Sequence, residues 1–191
     1  MRESNIRLDS RAVRVLAHPL RARLLSELRV NGNATATTLA AALDTNTGAT
    51  SYHLRKLAEV NLVVETDEGH GKQRVWAAAQ KSHSWADGDF TGDPDAVAAS
   101  MWLQKHYWAY LSERVARWED VRGEWPIEWR DATGSSDVVV ELTAPRLRAM
   151  TAEIEEVIRR HQEAASADPD PAARRVTFLY YAMPTEPEDR P

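Results

Sequence analysis

TTLAAALDTNTGATSYHLRKLAEVNLVVETDEGHGKQRVWA, residues 37–77, is the stretch whose reading decides the fold. Leu39 and Leu43 stand one turn apart among alanines, which predicts a short helix over Thr35–Leu43 able to pack closely on a neighbour. Asp44-Thr45-Asn46 follows, short polar side chains suited to a turn and to capping free backbone N–H groups. A second helix is predicted over Thr47–Val60, with Thr50, Leu54 and Leu57 at i, i+4 and i+7 as its buried stripe. Its other face presents Thr47, Gly48, Ser51, Tyr52, Arg55 and Lys56, with no carboxylate before Glu59. Leu62–Thr66 is β-branched and apolar, 67–71 is a Gly-containing turn, and 72–77 alternates polar and apolar residues, so a hairpin closes the stretch. Lys72 and Arg74 project from its second arm.

Upstream, Leu8, Ala12, Val13 and Leu16 recur at spacings of three and four, which predicts a helix over Arg7–Ala17 capped by Asp9 or Ser10. His18-Pro19 breaks it, since the residue before proline is pushed out of the α region and proline suits the first position of a new helix. Leu20, Leu24, Leu25 and Leu28 give that next helix a leucine face, and Asn31-Gly32 ends it. Arg14, Arg21, Arg23 and Arg29 fall mainly off this face and read first as solvated charge.

Downstream, 80–93 is rich in Ser, Asp and Gly and reads as a linker. Pro94–Arg122 is predicted as one long helix with Asp93 as its cap. Met101, Trp102, Trp108, Leu111, Val115 and Trp118 lie on or near one stripe of it, a packing surface suited to dimerisation. Asp137–Leu142 and Arg174–Met183 have strand character, Thr143–Ala165 is helical, and 184–191 reads as a disordered tail. The expected fold class is α+β, mostly α: a domain at 1–79, a linker at 80–93, and a long helix with a smaller strand-helix-strand region at 94–183.

The 191-residue chain is 43% hydrophobic, enough for a core, and has no cysteine, which excludes disulfides, thiolate metal sites and cysteine nucleophiles. No segment approaches the roughly 20 apolar residues of a membrane span and no signal peptide is evident, so a soluble, cytoplasmic protein is expected. The net charge of −5 conceals a division: residues 1–79 hold 11 Lys+Arg against 8 Asp+Glu, while 80–191 hold 13 against 21. An acidic partner would dock on the first part and be repelled by the second.

The order helix, helix, helix-turn-helix, hairpin over residues 6–79 resembles the winged helix-turn-helix of arsenical-repressor (ArsR)-like transcriptional regulators. The resemblance is carried by His18-Pro19-Leu20-Arg21, by 38–43 (TLAAAL), by 51–57 (SYHLRKL) and by Asn61-Leu62-Val63. Val60-Asn61 departs from the family's Ala-Gly at that point, although Asn tolerates the left-handed conformation a glycine would take. The resemblance covers about 40% of the chain. It implies a regulator of transcription that binds double-stranded DNA as a homodimer, with the long apolar helix pairing across a two-fold axis.

The 47–60 helix is of a length to enter a major groove, so Thr47, Ser51, Tyr52 and Arg55 are the expected base readers, with Arg55 suited to guanine O6 and N7. Gly48, where the resemblance leads one to expect a polar residue, implies close backbone approach or a weaker readout, Lys56 is placed to meet phosphate, and His53 either bonds phosphate or supports the turn. Lys72 and Arg74 would lie along the flanking groove. The six histidines are scattered and no cofactor is expected; a metal site assembled across a dimer stays as the alternative of a metal-sensing regulator. The Trp-rich half suits either dimerisation alone or a small-molecule effector. No motif of an enzyme is present. A winged helix serving as a protein-interaction module is the remaining alternative.

Overall fold

The computed structural model describes residues 5–69, 71 and 73–186. Lys72, expected on the wing, and 187–191 of the expected tail lie outside the described residues, as do 1–4 and His70. The chain forms two compact units, Met1–Trp125 and Pro126–Pro191.

The first unit opens with β1 (Asn5–Arg7) and α1 (Ser10–Leu16), whose N-cap Asp9 accepts the Ala12 N–H at 2.7 Å. Then α2 (Pro19–Asn31) begins at the proline foreseen for it and ends at Gly32, with φ 91°. Its N-cap is His18, whose Nδ1 accepts the Leu20 N–H at 3.2 Å. A two-residue β2 (Ala34–Thr35) leads into α3 (Ala36–Ala42), Asp44 takes a left-handed φ of 51°, and α4 (Thr47–Ala58) follows. Asn61 turns the chain out of α4 with φ 57°, the conformation that Asn is suited to hold.

β3 (Val63–Thr66) and β4 (Val75–Ala78) pair antiparallel, with Glu65 opposite Trp76 and Thr66 opposite Val75, and β2 adds to the outer edge of β4. At the hairpin tip a Cβ on Gly69 would stand 2.2 Å from the Gln73 carbonyl oxygen, so only glycine fits there. Asn33 donates to Glu68 at 2.6 Å and ties that tip back to the start of β2.

The 80–93 stretch differs from the linker expected of it. β5 (Ser82–Ser84) pairs in parallel with β1, setting Asn5 opposite Ser82 and Arg7 opposite Ser84. A single 3-10 turn at Asp87–Phe90 then drops Phe90, 1% exposed, into the core. Arg7 Nε donates to Asp89 at 2.9 Å, and Arg14 pairs with Asp93, which also caps α5 (Pro94–Val121) by accepting the Ala96 N–H at 3.0 Å. Composition misled here because one buried aromatic and three strand residues suffice to anchor a polar segment.

The core is continuous through all of this: Leu8, Val13 and Leu16 of the first helical layer, Leu24 and Leu25 of α2, Leu54 and Leu57 of α4, Leu62, Val63, Phe90 and Leu103 are all at most 2% exposed. α5 contributes its first turns to it through Ala96, Ser100 and Leu103.

The second unit holds α6 (Ile127–Ala132) and α7 (Ala144–Ala167), the latter studded with ion pairs such as Arg159 with Glu156 and Glu163. No side chain over 126–186 is fully buried. The expected strands at 137–142 and 174–183 are not in any ladder, and Val138, Val139, Val176 and Phe178 are exposed. Tyr180 donates to Glu155 at 3.1 Å, joining the last segment to α7. β-branched composition favours a strand only where an edge is offered to pair with, and among the described residues these segments pair with none. Among the described residues no helix is long and apolar enough to cross a membrane.

Because Phe90 belongs to the same core as α4, Phe90→Ala should cost about 3–5 kcal/mol in urea unfolding of the first unit. A loss under 1 kcal/mol would return 80–93 to the status of a linker.

Candidate nucleic-acid interface

α4 starts where it does because Asn46 accepts the Ala49 N–H at 2.8 Å, satisfying one of the free donors at the helix start. Its inner stripe is Thr50, Leu54 and Leu57, each 0% exposed, packed on α2 and α3. Burying that stripe leaves the opposite face no choice but to point outward. Thr47, Gly48, Tyr52 and Arg55 are exposed there, and Ser51 is half-buried.

Beside that face the hairpin closes a groove. It is lined by Thr47, Ser51 and Arg55 from α4, by Thr35, Ala36 and Thr37 at the start of α3, and by Gln73, Arg74 and Trp76 from the second arm of the hairpin. Arg55 and Arg74, 19 positions apart in the chain, thus face one concavity with hydroxyl side chains between them. Thr37 and Gln73 join the set without having been singled out in the sequence. The pairing of β2 with β4 brings the start of α3 and the wing together, and a two-residue strand leaves little periodic trace.

Arg74 pairs with Glu65 across the hairpin at 3.4 Å, both side chains largely exposed. Such a surface pair is worth only about 0.2–1 kcal/mol, so it holds Arg74 weakly. Lys56 is turned away from the groove, its Nζ 2.9 Å from Glu59 one turn on and 6.0 Å from the Tyr52 ring centre. Gly48 is exposed, and a Cβ there would stand 3.3 Å from Asn46 Oδ1, so even alanine would press on the capping side chain.

His53 leaves the groove face altogether. Its ring lies 4.4 Å from that of His18 and 5.1 Å from that of Tyr52, and its Nδ1 is buried. The ring thus packs between α4 and the start of α2. Both imidazoles are held below the usual histidine range, first by burial and then by charge, from Arg21 for His18 and from His18 and Arg21 for His53.

The residues of the expected dimer stripe divide between two faces of α5. Met101, Trp108 and Val115 are exposed, at 57%, 53% and 46%, and Leu111 and Trp118 are half-buried. Trp102 instead turns inward, stacked on His106 at 4.8 Å and packed against the core, with Leu103 beside it fully buried. Trp118 makes an edge contact with Trp125 at 5.4 Å. Positions 101 and 102 differ by about 100° around a helix, so Met101 and Trp102 point to different sides of α5. Among the described residues no group of three His, Asp or Glu side chains is gathered as a metal ion would require.

Residues 16–66, spanning α2 to β3, match the family model of a helix-turn-helix domain. No curated protein matches the chain.

The histidines give a pH signature. His18, His53 and His106 are held below the usual range, and His83 is pushed down to about 3 by burial and by Arg29. The native state therefore binds fewer protons than the unfolded chain, whose histidines titrate near about 6.5, and stability falls as the pH drops below that value. The urea midpoint should be level from pH 8 to 7 and decline from 6.5 to 5, ahead of carboxylate titration. A midpoint flat to pH 5 would contradict the buried, neutral imidazoles.

Proposed function

We propose that the chain is a sequence-specific regulator of transcription that binds double-stranded DNA through its helix-turn-helix domain and acts as a homodimer. The observation that carries the reading is the single groove shared by Arg55, Ser51 and Thr47 of α4 with Arg74 and Gln73 of the hairpin. α4 enters the major groove, where Arg55 donates in bidentate fashion to guanine O6 and N7, and Thr47 and Ser51 meet neighbouring base edges. The hairpin acts as a wing, with Arg74 released from Glu65 onto the flanking minor groove or backbone. Tyr52, exposed beyond Ser51, extends the contact along the strand, and Gly48 lets the backbone approach it. Lys56 belongs at the rim of this surface.

One such domain is small for the roughly 1,000–2,500 Å² of protein surface that specific recognition takes, which favours two copies on a palindrome. α5 offers the seam. Val97, Met101, Gln104, Trp108, Leu111, Val115 and Trp118 follow alternating spacings of four and three, the pattern of a two-stranded coiled coil, and its large apolar members are exposed or half-buried. The faces are complementary in use, because Ala96, Ser100 and Leu103 are already taken by the chain's own core. Binding as a symmetric dimer over a promoter excludes the polymerase with no further contact, so repression is the economical output.

Selection of genomic fragments followed by footprinting should yield a symmetric protected site. On that site Arg55→Ala should lose about 1–3 kcal/mol while random DNA is bound almost as before, and Arg74→Ala should weaken both alike and lower the salt slope by about one. Equal losses for Arg55→Ala on both DNAs would contradict base reading. Trp108→Glu places a charge in the seam and should give monomers by sedimentation with weakened operator binding; a persisting dimer would remove α5 from that role.

A further inference from the structure

His18 and His53, on two different helices, lie ring against ring, their centroids 4.4 Å apart and their planes tilted by 36°. Both are half-buried, so protons from solvent reach them. His18 is the N-cap of α2, and its Nδ1 accepts the Leu20 N–H at 3.2 Å. Pro19 has no N–H to offer and no acidic residue stands in the first turn, so the start of α2 relies on this imidazole. His53 belongs to α4 and meets the Tyr52 ring in an edge contact at 5.1 Å.

Protonation is incompatible with this geometry on two counts. An imidazolium carries N–H on both nitrogens, so a protonated His18 has no lone pair left for the Leu20 N–H and sets a positive charge on the positive end of α2. Two imidazoliums in contact also repel each other and Arg21, which is half-buried with its Nε on the Val15 carbonyl. The helices around the pair offer little to absorb that charge. The charged residues of α1 are Arg11 and Arg14, those of α4 are Arg55 and Lys56, α3 has none, and Glu27 of α2 stands more than about two turns beyond His18. Glu65 of β3 is engaged with Arg74. The groups acting on the two rings are accordingly burial first and cations second.

We propose that His18 and His53 form an acid-operated latch between the start of α2 and α4, closed while both rings are neutral and opened by protonation, so that the chain lets go of DNA in acid. Ser51, Tyr52 and Arg55 lie within a turn of His53, so a change in how that turn sits on α2 moves the groups proposed to meet DNA. The sign sets the latch apart from a contact. A histidine beside phosphate adds a cation when protonated and raises affinity, whereas this pair, off the groove face, lowers it. Release of DNA rests on the DNA-binding reading; coupled titration of the two rings does not.

Two measurements on the full chain test the latch. Without DNA, the ring C–H signals of His18 and His53 are followed by NMR as the pH is lowered. Both should titrate below the ordinary histidine midpoint of about 6.5, and His18→Asn, which keeps a capping oxygen but cannot take a proton, should move the His53 midpoint upward. Independent titration at ordinary midpoints, or a His53 midpoint indifferent to His18→Asn, would overturn the latch. With DNA, operator affinity at constant ionic strength should fall about tenfold or more from pH 7.5 to 5.5 while the helix signal in circular dichroism is kept, and the His18→Asn/His53→Phe double variant should hold its affinity within about threefold. Should the double variant fail to fold, His18→Asn alone must show the shallower fall. Affinity level or rising in acid, a fall that comes only with loss of the helix signal, or an equal fall in the variants would overturn acid release. A chain that binds no DNA at pH 7.5 would instead overturn the DNA-binding reading, and the NMR titration would still decide the pair.

Discussion

The burial of Leu54, Leu57 and Thr50 of α4 against α2 and α3 is the constraint on which the rest of the first unit depends. Each leucine removed from water contributes about 1.5–3 kcal/mol, well beyond any surface ion pair in the molecule. Once those three positions are inside, the helix has no rotational freedom left, and Thr47, Ser51 and Arg55 must lie on the outer side. The hairpin then needs only to be held at the correct distance. Two small contacts do this: the β2–β4 pairing, which joins it to the start of α3, and the Asn33–Glu68 hydrogen bond at the tip.

The electrostatics follow from the same arrangement. A chain of net charge −5 presents Arg55 and Arg74 in one groove because its acidic excess lies after residue 79. The pairs that Arg74 and Lys56 make with Glu65 and Glu59 are exposed and weak, so they hold the side chains in place without consuming their charge. His18 and His53 show the opposite economy: partly buried and neutral, they serve as packing and as a helix cap rather than as charge.

Much of this was legible beforehand, and the reasons are specific. The Thr50-Leu54-Leu57 stripe, the Pro19 start, the Gly32 stop and the left-handed Asn61 are local signals, each fixed by sterics or by a helical period within a few residues. What escaped were features made by distant partners. β5 exists because β1 lies 77 positions earlier, Phe90 is buried because the first helices leave space for it, and Arg29 is enclosed because Gln80 and His83 return to the end of α2. The segments 137–142 and 174–183 failed in the other direction. Their composition asks for a ladder, and among the described residues they enter none. In the candidate site the α4 residues were found by spacing, whereas Thr37 and Gln73 needed the three-stranded sheet to bring them in.

α5 carries core residues and the proposed seam on opposite sides. Toward its own domain it sends Ala96, Ser100, Leu103 and Tyr107; away from it, at positions a heptad apart, it shows Met101, Trp108 and Val115. If two copies pair through the exposed face as proposed, a change in the seating of α5 on its own core would reach the partner copy, because packed interfaces shift between discrete arrangements rather than deform smoothly. Tyr107, packed against the core, and the exposed Trp108 are adjacent in sequence, so one helix carries both the inward group and the group of the proposed seam.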